Sequence, residues 1–257
     1  MNDIVFNILF QAFCFIICIY LAGFLIGLIN RAFYGFFGGS RAVIYATGII
    51  GTPVHETAHA LMCILFGHKI NEIKFFQIDE ENGVLGYVRH SYNRRNLYAV
   101  LGNYFIGVAP ILAGCAILNF SLYYLLPKTY VAIVVLSRAQ GGAAVFENLG
   151  GVLSSFFSEV GNPKFWIVAA VDLCIALHMN LSGADIKGSL TALPLLILLL
   201  VLINAILGFA WSAGYAAVTG FLNAAGLNLI VLLVFSVMFS LLYLAIGFLI
   251  SLIVRRR

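Results

Sequence analysis

Charge is what this chain has least of. Only 9% of its 257 residues are Asp, Glu, Lys or Arg, and 63% are hydrophobic. Soluble domains carry about 25% charged residues, and a soluble protein this apolar would expose patches large enough to aggregate. The shortage is also uneven. Residues 4–30, 97–127 and 188–254 hold no Asp, Glu, Lys or Arg at all, and about 20 such residues cross a bilayer as a helix. A long water-soluble segment is missing too, which argues against a membrane-tethered enzyme acting on soluble substrates. The net charge of +4 is small and dispersed, which gives no reason to expect nucleic acid as a partner. There is no CxxC pair. The five cysteines (Cys14, Cys18, Cys63, Cys115 and Cys174) fall in apolar segments. They read as small buried hydrophobes rather than a disulfide or cysteine metal site. The first residues, "MNDIVFN", lack a basic leader region, so the first apolar run is expected to be a retained helix.

What is present is an all-α polytopic membrane protein. About six transmembrane helices are expected, at 5–29, 43–66, 98–126, 165–182, 190–211 and 227–254, with a loop at "WSAGYAAVTG" (211–220) before the last. Lys and Arg set the orientation. With the N-terminus inside, Lys69, Lys74, Arg89, Arg94, Arg95, Lys187 and Arg255–Arg257 face inward, against Arg31, Arg41, Lys128, Arg138 and Lys164 outward. Both termini are therefore expected in the cytoplasm. Residues 69–95 read as a membrane-associated β-hairpin, with Asn82-Gly83 as the turn between "IKFFQI" and "VLGYV". Phe146, Leu149, Val152, Leu153, Phe156 and Val160 recur at helical spacing, which predicts an amphipathic helix on the outer face. One integral domain, 1–257, is the economical organisation.

Inside the second span lies His55-Glu56-Thr57-Ala58-His59, an HExxH pattern. Residues i and i+4 share one face of a helix, so two imidazoles at this spacing can bind one Zn²⁺ at about 2.0–2.1 Å each. Glu56, about 100° around the helix from His55, can take the proton of a zinc-bound water without being a ligand itself. Ionised groups at bilayer depth cost about 2.5–3.5 kcal/mol on insertion scales, so such groups are functional by default. Thr52-Pro53, just upstream, either starts a helix or kinks a longer one.

A catalytic zinc usually takes a third protein ligand and keeps a fourth position open. Four places offer the third. Asp79, Glu80 and Glu81 follow His59 but flank the expected turn; Asp172 and His178 lie in the fourth span; Asp185 lies at its inner end. Depth matches best for Asp185 and nearly as well for His178. An aspartate capping the next helix is the competing account of Asp185.

These residues resemble a family, the site-2 proteases, which are intramembrane zinc metalloproteases. The similarity rests on HETAH at 55–59 in a membrane helix, a β-like hairpin directly after it, the small-residue span "GNYFIGVAPILAG" at 102–114, and Asn180-Leu-Ser-Gly-Ala-Asp185-Ile-Lys-Gly after a later helix. It covers about 43–188, leaving 5–29 and 190–254 as accessory helices. The resemblance implies Asp185 as third ligand, although the motif has no proline and Ile-Lys-Gly follows the aspartate; His178 stays as the alternative. It also implies an integral plasma-membrane protein of bacterial type, with the hairpin on the cytoplasmic side. The expected function is hydrolysis of peptide bonds in membrane-embedded protein or peptide substrates, with His55, His59 and Asp185 holding Zn²⁺ and Glu56 activating the water. Asn103 in the third span is a candidate substrate-binding residue. The alternatives are a zinc-binding membrane scaffold without activity, or an ion-coupled transporter using Asp172, His178 and Asp185; the latter calls for inverted repeats, and the sequence shows none.

Overall fold

The computed structural model describes residues 2–78, 84–137 and 142–254. Most are helical. The elements run α1 (Asn2–Ala12), a π-helical turn (Phe13–Ile17), α2 (Cys18–Phe36), α3 (Arg41–Leu65), β1 (Lys69–Lys74), β2 (Tyr87–Ser91), α4 (Leu97–Leu125), α5 (Pro127–Ser137), α6 (Gly142–Ser158), α7 (Pro163–Ala176), α8 (Gly183–Ala210) and α9 (Ser212–Val254).

Among the described residues four helices are long and apolar enough to cross a membrane: Asp3–Phe36, Leu97–Leu125, Gly183–Ala210 and Ser212–Ile253. The other two expected spans fall short of that mark for different reasons. α3 has the length, 25 residues, but its polar HETAH turn dilutes its hydropathy. α7 has only 14 residues, because the chain leaves the helix at Leu177. The residues that follow, Asn180, Ser182 and Gly183, are poor helix formers. Asn30 of α2 receives the loosened end of α7, donating from Nδ2 to the carbonyls of Ala176 (3.1 Å) and Leu177 (3.0 Å). Without that donor two buried carbonyls would stand bare. The loop expected at 211–220 is likewise absent. Trp211 alone breaks the helix, at φ −153, and α9 resumes at once because the segment holds no proline. Its 43 residues extend about 65 Å.

α4 is the hub. It is apolar all round, as a helix surrounded by protein should be, and it touches α2, α3, α5, α7, α8 and α9. One core joins Ile19 and Ile26 of α2, Val108 and Ile111 of α4, Ile175 of α7 and Leu233 of α9. A second joins Leu118 and Leu122 of α4, Ile133 of α5, Phe165 of α7 and Phe235 of α9. Val152 and Phe156 of the expected amphipathic stripe are buried in this second core, while Phe146 is 83% exposed.

The hairpin forms, with its strands set further from the turn than expected. β1 and β2 pair antiparallel, from Lys69 opposite Ser91 to Lys74 opposite Tyr87. A bulge at Asn71 shifts the register between Ile70 and Glu72. One more main-chain bond, Gln77 N–H to the Leu85 carbonyl at 2.7 Å, carries the pairing toward the turn. The Asn82-Gly83 turn itself, with Asp79, Glu80 and Glu81, lies outside the described residues, as does Arg138. The ribbon lies against α3. A Cβ at Gly86 would meet Thr52 Cγ2 at 2.7 Å and Glu56 Cγ at 2.8 Å, and one at Gly48 would meet Leu85 at 2.9 Å.

Candidate metal centre

α3 starts at Arg41, well before Thr52, so Pro53 lies inside the helix and Thr52 does not cap it. HETAH therefore sits in the later half of an established helix, with His55 and His59 one turn apart on the same face. Their Nε2 atoms stand 3.1 Å from each other. Asp185 joins them from the first turn of α8: its Oδ1 is 3.3 Å from His59 Nε2, and its Oδ2 is 4.0 Å from His55 Nε2. All three groups offer ligand atoms within 4.8 Å of one another.

Each imidazole is held from behind. His55 Nδ1 lies 2.6 Å from the His178 carbonyl, and His59 Nδ1 lies 2.8 Å from the Ile106 carbonyl. A carbonyl only accepts, so both protons sit on Nδ1 and both Nε2 atoms present lone pairs. Two lone pairs and a carboxylate then converge with no donor among them. Such a trio is stable only around a cation or a shared proton. Tetrahedral zinc with bonds of about 2.0–2.1 Å needs its ligand atoms about 3.3–3.4 Å apart. The 3.1 and 3.3 Å edges that meet at His59 Nε2 are close to that, and His55 Nε2 lies 4.0 Å from the other carboxylate oxygen, Oδ2. The donor set fits Zn²⁺, and carbonyls behind the ligating histidines are the usual second layer of such a site.

Asp185 faces the histidines and also caps its own helix. Ser182 and Asp185 form a capping box at the start of α8: the Ser182 N–H donates to Asp185 Oδ2 at 2.8 Å, and the Asp185 N–H donates to Ser182 Oγ at 3.1 Å. The capping and ligand readings are thus compatible. The cap uses Oδ2 and fixes the carboxylate so that Oδ1 turns to His59. A carboxylate at a helix N-terminus is also favoured by the helix dipole.

Close helix contact makes this possible. A Cβ at Gly107 of α4 would come 2.5 Å from the Asp185 carbonyl oxygen and 2.7 Å from Ser189 Cβ. Glycine at that point lets α8 approach until Asp185 reaches the histidines. The boundary at 188 between core and accessory helices consequently falls inside α8.

The trio opens on a cavity of about 250 Å³, lined also by Glu56, Gly86, His90 and Asn103. Glu56 is 6% exposed, and Asn103 is buried with its Nδ2 unpartnered. The remaining candidates sit elsewhere. The His178 ring packs against Gly48 and Gly51, and only its carbonyl serves His55. Asp172 is buried beside Gly114, Leu118 and Ser236, away from the trio. The two supporting carbonyls of Ile106 and His178 carry no side-chain signal, so sequence reading had no means to find them. His90 was missed as a lining residue because it comes from the hairpin. Burial, with His68 and His59 nearby, holds its pKa below the usual value for histidine.

Comparison with protein-family models, with curated proteins and with solved structures finds no match for this chain. The functional reading therefore stands on the geometry.

Proposed function

We propose that the chain is a zinc metalloprotease that cleaves peptide bonds of membrane-embedded substrates, of the site-2 type. One observation carries the proposal: His55, His59 and Asp185 converge as three acceptors with no donor, and the buried carboxylate of Glu56 shares their cavity. On this reading α3 and α7 cross the membrane with the four longer helices, both termini and the hairpin face the cytoplasm, and the site lies toward the inner leaflet. The protein is an integral plasma-membrane protein whose partners are the bilayer and a membrane-protein or peptide substrate.

His55, His59 and Asp185 hold the zinc. Zinc, when bound, polarises the substrate carbonyl and makes water acidic enough to give up a proton near neutral pH. Glu56 receives that proton and passes it to the departing amine. Its place between two ligands on α3 keeps it within the cavity but out of the ligand set. Asn103 Nδ2, with no partner among the described residues, donates to the carbonyl oxygen as charge builds there, a contribution of the oxyanion-hole kind. A helical substrate hides its carbonyls in its own hydrogen bonds, so it must be extended before cleavage. The hairpin, held over the cavity at Gly86, offers a strand edge for pairing with the extended segment.

Metal content of the detergent-purified protein tests the proposal first. Wild type should hold zinc at the trio; His59→Ala should lose it and Asp185→Asn should hold it less tightly. Cleavage of a membrane substrate should then stop in Glu56→Gln with zinc retained. Folded wild type that takes up no zinc at the trio would sink the protease reading. Glu56→Gln that behaves as wild type in every assay would leave a zinc-binding scaffold instead.

A further inference from the structure

A second group of ligating side chains lies beyond the trio, where α3 ends. α3 terminates in a Schellman motif. Gly67, at φ +69, takes the left-handed position; the His68 N–H bonds the Cys63 carbonyl at 2.8 Å and the Gly67 N–H bonds the Ile64 carbonyl at 3.2 Å. This motif brings the residue after the glycine back over the third residue from the helix end, and the two usually make an apolar contact. Here they are His68 and Cys63, an imidazole and a thiol.

The hairpin supplies a third group. His90 of β2 opposes Ile70, which makes it the diagonal neighbour of His68 across the ribbon. His68 Nδ1 and His90 Nδ1 are 2.9 Å apart. His68 Nε2 donates to the Ala99 carbonyl of α4 at 2.8 Å, so His68 presents a bare Nδ1. The Tyr92 ring stacks on His68 with centroids 4.7 Å apart and holds the imidazole plane. Cys63 is fully buried and His68 nearly so. Ligand atoms of Cys63, His68 and His90 all lie within 4.8 Å of one another.

We propose that Cys63, His68 and His90 form a second metal site, taking a zinc-type divalent ion, which clamps the hairpin to the end of the HExxH helix. The donor set is one sulfur and two imidazole nitrogens. That set selects zinc or cobalt over magnesium or calcium, which prefer oxygen. On binding, Cys63 releases its thiol proton to solvent, and His90 moves its proton from Nδ1 to Nε2, freeing Nδ1 for the metal. Residues from α3, from its terminal turn and from β2 are thereby tied together, with the main chain of α4 behind them. His90 also lines the cavity of the trio, so the clamp sets the position of the hairpin wall of that cavity. This site does not depend on the protease reading.

Sulfur separates the two sites experimentally, because the trio contains none. Metal-free, full-length protein in detergent is titrated with Co²⁺ while absorbance and bound metal are followed. Wild type should develop a thiolate-to-cobalt charge-transfer band. Cys63→Ser should lose the band and one equivalent of metal, and His90→Gln should lower cobalt affinity at the band at least tenfold. The double variant His55→Ala/His59→Ala should keep the band, which distinguishes failure of the trio from failure of the clamp. Circular dichroism establishes that each variant keeps its helices. Absence of the band in folded wild type at saturating Co²⁺, its survival in Cys63→Ser, or an unchanged cobalt affinity in His90→Gln would overturn the second site.

Discussion

Gly107→Ala asks whether the approach of α8 to α4 builds the metal centre. The new methyl carbon would stand 2.5 Å from the Asp185 carbonyl oxygen, where ordinary contact begins at 3.4 Å. Both neighbours on that side, the Asp185 main chain and Ser189 Cβ, are short of freedom to move. The helices must therefore separate by the difference, about 0.9 Å, at an overpacking cost of about 1–3 kcal/mol. That separation carries Asp185 Oδ1 away from His59 Nε2, now 3.3 Å distant, and out of ligand reach. Zinc affinity should fall at least tenfold, and any catalytic rate by about 10²-fold, the usual result of a 1 Å misplacement. The assay is competitive zinc titration against a chromophoric chelator, paired with thermal unfolding. Gly150→Ala is the control: nothing lies within 4 Å of a Cβ at that position in α6, so zinc binding should be unchanged and stability neutral or up to about 1 kcal/mol higher. If Gly107→Ala binds zinc as tightly as wild type, close packing at Gly107 does not position the third ligand.

Other substitutions probe the same site from different sides. Ser182→Ala removes the capping side chain of α8 and should cost about 0.5–2 kcal/mol in thermal unfolding; zinc affinity should drop with it, and an unchanged affinity would show that the cap does not orient Asp185. Asn103→Ala should lower kcat by about 10²–10³-fold with little change in KM, and its stability should barely move, because the buried Nδ2 has no partner to lose; a KM effect alone would assign Asn103 to ground-state binding. Zinc at a hundredfold excess over Kd should stabilise the fold by about 2.7 kcal/mol; the increment at the trio should vanish on chelation and shrink in Asp185→Asn. On the hairpin, Arg89→Ala breaks an exposed ion pair to Glu72, 3.2 Å long, and should cost no more than about 1 kcal/mol; a larger loss would mean that the ribbon is held by its own charges rather than by α3.

Some of this was legible without coordinates, because it follows from local rules. Apolar runs without charge mark helices that can span a membrane whatever surrounds them, and the four long ones lie where such runs are. HExxH places His55 and His59 on one helix face by periodicity alone. The hairpin followed from alternating β-formers on either side of Asn-Gly. The place of Asp185 after the fourth apolar segment puts it at the depth of HExxH, and the fold brings it to 3.3 Å from His59 while it caps α8.

What the sequence could not settle depends on contacts between distant segments. Asn180 and Ser182 weaken the helix locally but do not fix its end at Ala176; that end is stabilised by Asn30, almost 150 positions earlier. The lack of proline in 211–220 permits the helix to resume after Trp211 but does not require it. The sequence left Asp185 and His178 both open, and their roles separated only when α8 met α4 at Gly107, which brought the Asp185 carboxylate to His59 and left His178 with only its carbonyl at the site. Cys63 shows the limit most clearly. By composition it is one of five cysteines in apolar surroundings, but a Schellman turn and a β-register, neither visible as a metal motif, place it beside His68 and His90. Periodicity determines which face of a helix a residue occupies, because that is set by the residue's own backbone. Which groups meet across helices depends on where small residues permit close approach, and that is a property of the folded whole.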